Sequence, residues 1–197
     1  MRIGVIGVQG DVSEHVDAVV RAIRESGHQG EAFAVRRRED LDRVDALTIP
    51  GGESTTISKL LLKLGMFDEI VRRATEEAMP IMGTCAGCIL LAKDAGHQAA
   101  RTRTRLLGLM DMAVDRNAFG RQKESFEADL VVTGLDSPFH GVFIRAPAIL
   151  RTWGRCEPLA RYGDKVVLAR ERSLIASAFH PELGGDLRIH KWFLDLV

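Results

Sequence analysis

The sequence is poor in cysteine. Three in 197 residues is an odd count, and only Cys85 and Cys88 lie close together. That argues against the disulfide framework of a secreted domain and fits a reducing cytoplasm. Net charge is also missing, because 27 Lys and Arg balance 27 Asp and Glu. A nucleic-acid binder carries a basic surplus, so that class is set aside. The three arginines of 101–105 (RTRTR) read as a solvated loop. No apolar run approaches the roughly 18 residues of a membrane span, and MRIGVIGVQG lacks the apolar stretch of a signal peptide. Repeats, low-complexity tracts and linker-like segments are absent too, so residues 1–197 read as one domain with no membrane partner.

What is present is apolar content, at 46%, arranged in alternating periods. Residues 2–8 read as a buried strand. Behind it, Val16, Val19, Val20 and Ile23 carry helical spacing, with Asp11 and Glu14 as a capping box and Gly27 as the stop. Strands follow at 31–35 and 44–49, then a helix from Ser54 and another over 66–78. Residues 80–84 form a strand and 86–96 its helix. This alternation predicts an α/β fold with a mostly parallel sheet and helices on both faces. The second half predicts additional antiparallel strands at 110–115, 128–133, 141–144, 148–153, 157–161, 165–171 and 174–179, closed by a helix over 185–196.

Ligands in open α/β sheets sit at the carboxyl ends of the strands. Three loops fall there: VQGD, PGGES and GTCAG. In the last, Gly83-Thr84-Cys85-Ala86-Gly87 has the form of a nucleophile elbow, a strand-to-helix turn that needs small neighbours. The helix N-terminus there favours a thiolate at Cys85 and leaves the Ala86 N–H free for an oxyanion. The same five residues also fit a buried cysteine flanked by packing glycines. Cys85 and Cys88 have the C-x-x-C spacing of a dithiol, and Cys88 also fits plain core filling. Zinc would need two more ligands, and no matching spacing exists, so no metal is expected.

A thiolate that attacks an amide needs an acid for the departing ammonia. Of six histidines, His180 stands apart: it follows the apolar LIASAF, and Pro181 and Glu182 come next. On an extended backbone, residues two apart share a side. Glu182 would then fix the His180 tautomer, with Pro181 holding the chain extended. HPE fits an ordinary strand end equally well.

Taken together, V-Q-G-D-V-S-E-H, P-G-G-E-S-T-T, G-T-C-A-G, R-N-A-F-G-R-Q, S-F-E-A-D-L, G-V-F-I-R-A-P and F-H-P-E-L resemble the glutaminase subunits of pyridoxal 5′-phosphate synthase. These belong among the class I, triad-type glutamine amidotransferases, and the motifs run from residue 8 to 183. The resemblance implies Cys85 as nucleophile, His180 as general acid and base, and Glu182 as its orienter. It places Gly51, Gly52 and Glu53 in the glutamine-binding loop, with Gly52 and Ala86 in the oxyanion hole. Arg116, Ile144 and Arg145 complete the glutamine pocket, and Gln9 lies at the synthase interface. It implies no cofactor for the glutaminase step. The partner it implies is a (β/α)₈-barrel synthase subunit in a large hetero-oligomer, with a glutaminase weakly active until docked. A misformed oxyanion hole in the PGGES loop would account for that. Position 88 departs from the pattern, with cysteine where a larger apolar residue is usual.

Overall fold

The computed structural model describes residues 1–116, 118 and 125–197, and of Gln98 the backbone alone. Of the motif R-N-A-F-G-R-Q, only Arg116 and Ala118 fall within the described residues. The first half alternates as the periodicity requires: β1 (Arg2–Ile6), α1 (Val12–Glu25), β2 (Glu31–Val35), α2 (Arg38–Leu41), β3 (Ala46–Ile49), α3 (Ser54–Lys63), α4 (Phe67–Glu76), β4 (Ile81–Thr84) and α5 (Ala86–Leu91). Next come β5 (Ala92–Asp94), α6 (Gly96–Thr102), β6 (Met110–Asp115), β7 (Ser125–Leu130), β8 (Phe139–Ile144) and β9 (Ala148–Thr152). The chain ends with β10 (Glu157–Tyr162), β11 (Lys165–Glu171), β12 (Leu174–Ser177) and α7 (Arg188–Leu194).

The main sheet runs β2-β1-β3-β4-β12-β11-β9-β6-β5, with β10 on β11. From β2 to β12 every neighbour is parallel. From β12 through β11 and β9 to β6 the pairing is antiparallel, and β5 returns parallel to β6. A separate antiparallel pair joins β7 to β8. The β4–β12 pair joins the early part of the chain to the late part. β12 is made last of the strands, yet it lies in mid-sheet beside β4 with Ser177 opposite Thr84.

Helices cover both faces. Alternate strand residues point to opposite sides, so Ile3, Ala46 and Met82 face one layer while Ile6, Leu47 and Ile81 face the other. On the first face α1 and α7 bury Val19, Ala22, Ile23, Ile189 and Phe193. On the second α3, α4 and α5 bury Ile57, Leu61, Phe67, Ile70 and Leu90. Each of the larger side chains removed from water contributes about 1.5–3 kcal/mol before ordering costs.

Several boundaries differ from the expectations. The helix predicted over 86–96 stops at Leu91, because Ala92–Asp94 pairs with β6. Of the basic segment predicted as a loop, Arg101 and Thr102 close α6, while residues 103–105 lie outside helix and strand, with hydroxyl contacts of Thr104 to Thr55 and Thr102. The strand predicted over 128–133 runs from Ser125 to Leu130; Val131 is exposed and Val132 only bridges Ala160. The expected Asp11–Glu14 capping box is absent, since Asp11 makes no side-chain cap. Gly27 does follow α1 with φ +70°, the left-handed stop glycine supplies. Among the described residues no helix is long and apolar enough to cross a membrane.

Candidate active site

Adjacent parallel strands put their carboxyl ends side by side. The loops after β1, β3, β4 and β12 therefore form one row, and the row is the rim of a cleft of about 440 Å³. The cleft is lined by Gln9, Gly52, Glu53, Cys85, Arg116, Ile144, Arg145 and His180, among others. Residues that are up to 171 positions apart in the sequence meet because the sheet order, not the chain order, sets who is next to whom.

Cys85 sits on the turn from β4 into α5 with φ +50° and ψ −96°. A side chain rarely adopts that backbone, and such strain gathers at functional sites. Gly83 and Gly87 make it possible: a Cβ on Gly83 would stand 2.6 Å from the Gly87 carbonyl carbon. The Cys85 N–H donates to the Ser177 carbonyl at 2.8 Å, tying the turn to β12. Cys85 is 8% exposed, and its sulfur lies 3.9 Å from the Ile144 carbonyl oxygen. The opening N–H groups of α5, Ala86 first, have no acceptor within their helix. Ala86 itself is buried at the start of α5, and its side chain is not among those lining the cleft.

His180 follows β12, and its N–H donates to the Val142 carbonyl of β8. Nδ1 is 2.6 Å from Oε1 of Glu182, whose side chain is fully buried. The segment is not extended. Residues 180–183 make a turn closed by the Leu183 N–H on the His180 carbonyl at 3.3 Å, and the turn folds the carboxylate back under the ring. Burial opposes a charged His180 ring, but hydrogen bonds to Cys85 and Glu182 outweigh it and raise the pKa to about 10. Asp11 Oδ2, freed from helix capping, stands 3.7 Å from Nδ1. The sequence places Asp11 in a strand-end loop but suggests only a capping role for it. Asp11, His180 and Glu182 are also close enough to meet one cation, but Nδ1 of His180 is already engaged by Glu182.

The β3 loop packs under the β1 loop. A Cβ on Gly51 would lie 2.5 Å from Cε1 of His180, and Gly52 has φ +143°. The Gly51 carbonyl accepts the Asp11 N–H at 3.3 Å. Gln9 Oε1 accepts the Glu53 N–H at 2.8 Å, joining the two loops. Glu53 is the N-cap of α3, and its carboxylate accepts from the Thr55 and Thr56 N–H groups. The same carboxylate pairs with Arg116 Nη2 at 3.0 Å. Arg145, at φ +42°, follows β8 and also lines the cleft. Cys88 is fully buried one turn beyond Cys85, burial pushes its thiol pKa up, and no disulfide forms among the three cysteines.

This fold and this cleft define a glutamine amidotransferase. A crystal structure described as a glutamine amidotransferase superposes with a TM-score of 0.87, at 47% identity, covering 98% of this chain and 97% of its own. The chain belongs to the SNO glutamine amidotransferase family, whose model matches residues 5–197. A Methanocella arvoryzae protein named pyridoxal 5′-phosphate synthase subunit PdxT is 50% identical over 197 residues, spanning 100% of this chain and 98% of the relative. A Thermococcus onnurineus protein of the same name is 53% identical over 195 residues, spanning 98% of each.

Proposed function

We propose that this chain, acting as one domain in the cytoplasm, is the glutaminase subunit of a pyridoxal 5′-phosphate synthase. It hydrolyses the side-chain amide of L-glutamine to glutamate and ammonia. The observation that carries the reading is the 2.6 Å contact between His180 and Glu182 beside the elbow cysteine. A histidine so held is oriented and charged, ready to give a proton to a leaving amine.

The Cys85 thiolate attacks the amide carbon, and the carbonyl oxygen becomes an oxyanion facing the Gly52 and Ala86 amides. His180 gives its proton to the nitrogen as the C–N bond breaks, releasing ammonia and leaving a γ-glutamyl thioester on Cys85. Water then adds, His180 takes its proton, and the C–S bond breaks to release glutamate. Glu182 keeps the imidazole in one tautomer throughout. The carboxylate of glutamine meets Arg116 or Arg145, for which a planar guanidinium is suited, and Glu53 receives the ammonium. Gly51 and Ile144 shape the walls, and Gln9 carries the loop toward a partner. No cofactor and no metal enters this step.

Free ammonia is mostly ammonium at neutral pH and loses its nucleophilicity, so the product passes directly to a synthase subunit. That partner is a (β/α)₈ barrel in a large hetero-oligomer, and docking raises the glutaminase rate. The deciding experiment measures ammonia release from glutamine with and without a cognate synthase subunit. Release by the wild-type chain that Cys85→Ala lacks is the expected result. Release by both proteins alike, or by neither in either condition, overturns the reading.

A further inference from the structure

We propose that His15 is a positioning residue of this site: its Nε2–H holds the Glu182 carboxylate so that the same oxygen receives Nδ1–H of His180. The proposal rests on the glutaminase reading above and adds a fourth side chain to it. His15 is on the inward face of α1, four residues before Val19 and seven before Ala22, where the helix's apolar stripe runs. An apolar residue would fill that place at less cost. Instead a polar ring is buried completely, and its Nε2 lies 3.4 Å from Oε1 of Glu182.

Neither His15 ring nitrogen has a hydrogen-bond partner of ordinary length, and Glu182 Oε2 has none. An unpaired buried polar group costs about 1–3 kcal/mol, so a ring kept there on packing grounds alone would be a burden. Closing 3.4 Å to an ordinary hydrogen bond gives the His15 ring a partner with a small adjustment of the ring and gives Glu182 Oε1 a second donor beside His180. Burial first of all lowers the His15 pKa to about 4; Glu182 raises it, and His190 and His180 lower it. The ring is therefore neutral, with one N–H to give, and a carboxylate opposite Nε2 puts that proton on Nε2.

The charged and titratable groups around the carboxylate come from four elements. His180 is on its own turn, Asp11 reaches His180 from the β1 loop, His15 comes from α1, and His190 stands behind His15 on α7. Arg21 and Asp186 act on His190, and Cys85 meets the far side of His180. Cys85, His180, Glu182 and His15 thus form one row running inward from the cleft. Without the His15 donor the carboxylate is free to rotate and holds the imidazolium less well.

The test compares His15→Gln, which keeps an N–H at similar reach, with His15→Phe, which keeps bulk without a donor. Three readouts are taken on the full chain: alkylation of Cys85 by iodoacetamide across pH, glutamine hydrolysis with a cognate synthase subunit, and thermal unfolding. His15→Phe is expected to lose roughly 10–100-fold in kcat, as lost supporting contacts do, with KM unchanged. Its alkylation profile moves to higher pH, and His15→Gln recovers most of both. A His15→Phe protein with wild-type kcat and alkylation profile overturns the proposal. So do equal losses in both variants that track only with lowered melting temperature.

If neither variant folds, the wild-type chain still decides. Nitrogen-15 NMR of its histidines should show His15 as the neutral Nε2–H tautomer down to about pH 5, and an Nδ1–H tautomer overturns the proposal. A wild-type protein that never hydrolyses glutamine counts against the glutaminase reading instead. The alkylation and tautomer readouts stay decisive for His15 in that case.

Discussion

Gly87 lies so close to Ile49 that a Cβ added to it would stand 2.2 Å from the Ile49 carbonyl oxygen. Helix α5 is pressed onto the end of β3 at this point, and the contact fixes the angle at which the elbow leaves the sheet. Gly87→Ala should therefore destabilise by about 1–3 kcal/mol, the usual cost of overpacking. It should also lower glutamine hydrolysis, because the displaced helix carries Cys85 with it. Urea unfolding together with ammonia release checks both effects.

Cys88→Ala separates nucleophile from dithiol. Cys88 is buried with its pKa pushed up, so it is a neutral thiol packed in the core. Hydrolysis should stay within about twofold of wild type, while stability falls by about 1–2 kcal/mol. Abolished activity at an unchanged melting temperature would favour a dithiol mechanism.

Glu53 does two things at once, and two substitutions pull them apart. Glu53→Ala removes the cap of α3, at about 0.5–2 kcal/mol, along with the partner of Arg116. Glu53→Gln keeps an oxygen for the Thr55 and Thr56 N–H groups but loses the charge. KM for glutamine should rise in both, and the melting temperature should fall clearly only for Glu53→Ala.

The histidines give the protein an acid limb and an alkaline limb of stability. His15 and His190 are each held at about 4, chiefly by burial, against about 6.5 in an unfolded chain. Above pH 6.5 both are neutral in both states and add no pH dependence. Between 6.5 and 4 the unfolded chain binds protons that the folded one refuses. Stability then falls with pH by about 1.4 kcal/mol per unit for each ring. His180 behaves oppositely: with its pKa at about 10, its contribution is complete below 6.5 and is lost as pH rises toward 10. Urea midpoints should peak near pH 6.5, and His190→Phe should flatten the acid limb. A midpoint unchanged from pH 7 to 4.5 would contradict the buried neutral rings.

Much of the fold and site is legible in the sequence because two periodicities and a few punctuating residues determine it. The β2 bounds follow from EAFAV, those of β6 from MDMAVD and those of β11 from KVVLARE, and GTCAG announces its turn by its glycines. What the sequence hides is tertiary. Nothing in Ala92–Asp94 marks a strand; β6 makes it one. Asp11 looks like a cap because it precedes a helix, yet Glu53 is the residue that caps, and Asp11 turns to His180. His15 looks like any histidine on a helix until α1 is laid against the turn that bears Glu182. HPE suggests an extended pair, whereas the carboxylate reaches the ring through a reverse turn.

The mid-sheet place of β12 has a consequence for how the protein is made. During translation Cys85 leaves the ribosome 95 residues before His180. Until β12 arrives, β4 has an open edge, the kind of surface on which nascent chains stick to one another. Insertion of that one strand both closes the sheet beside β4 and brings His180 to the cleft, so the newborn polypeptide completes the proposed site at the moment it covers that edge.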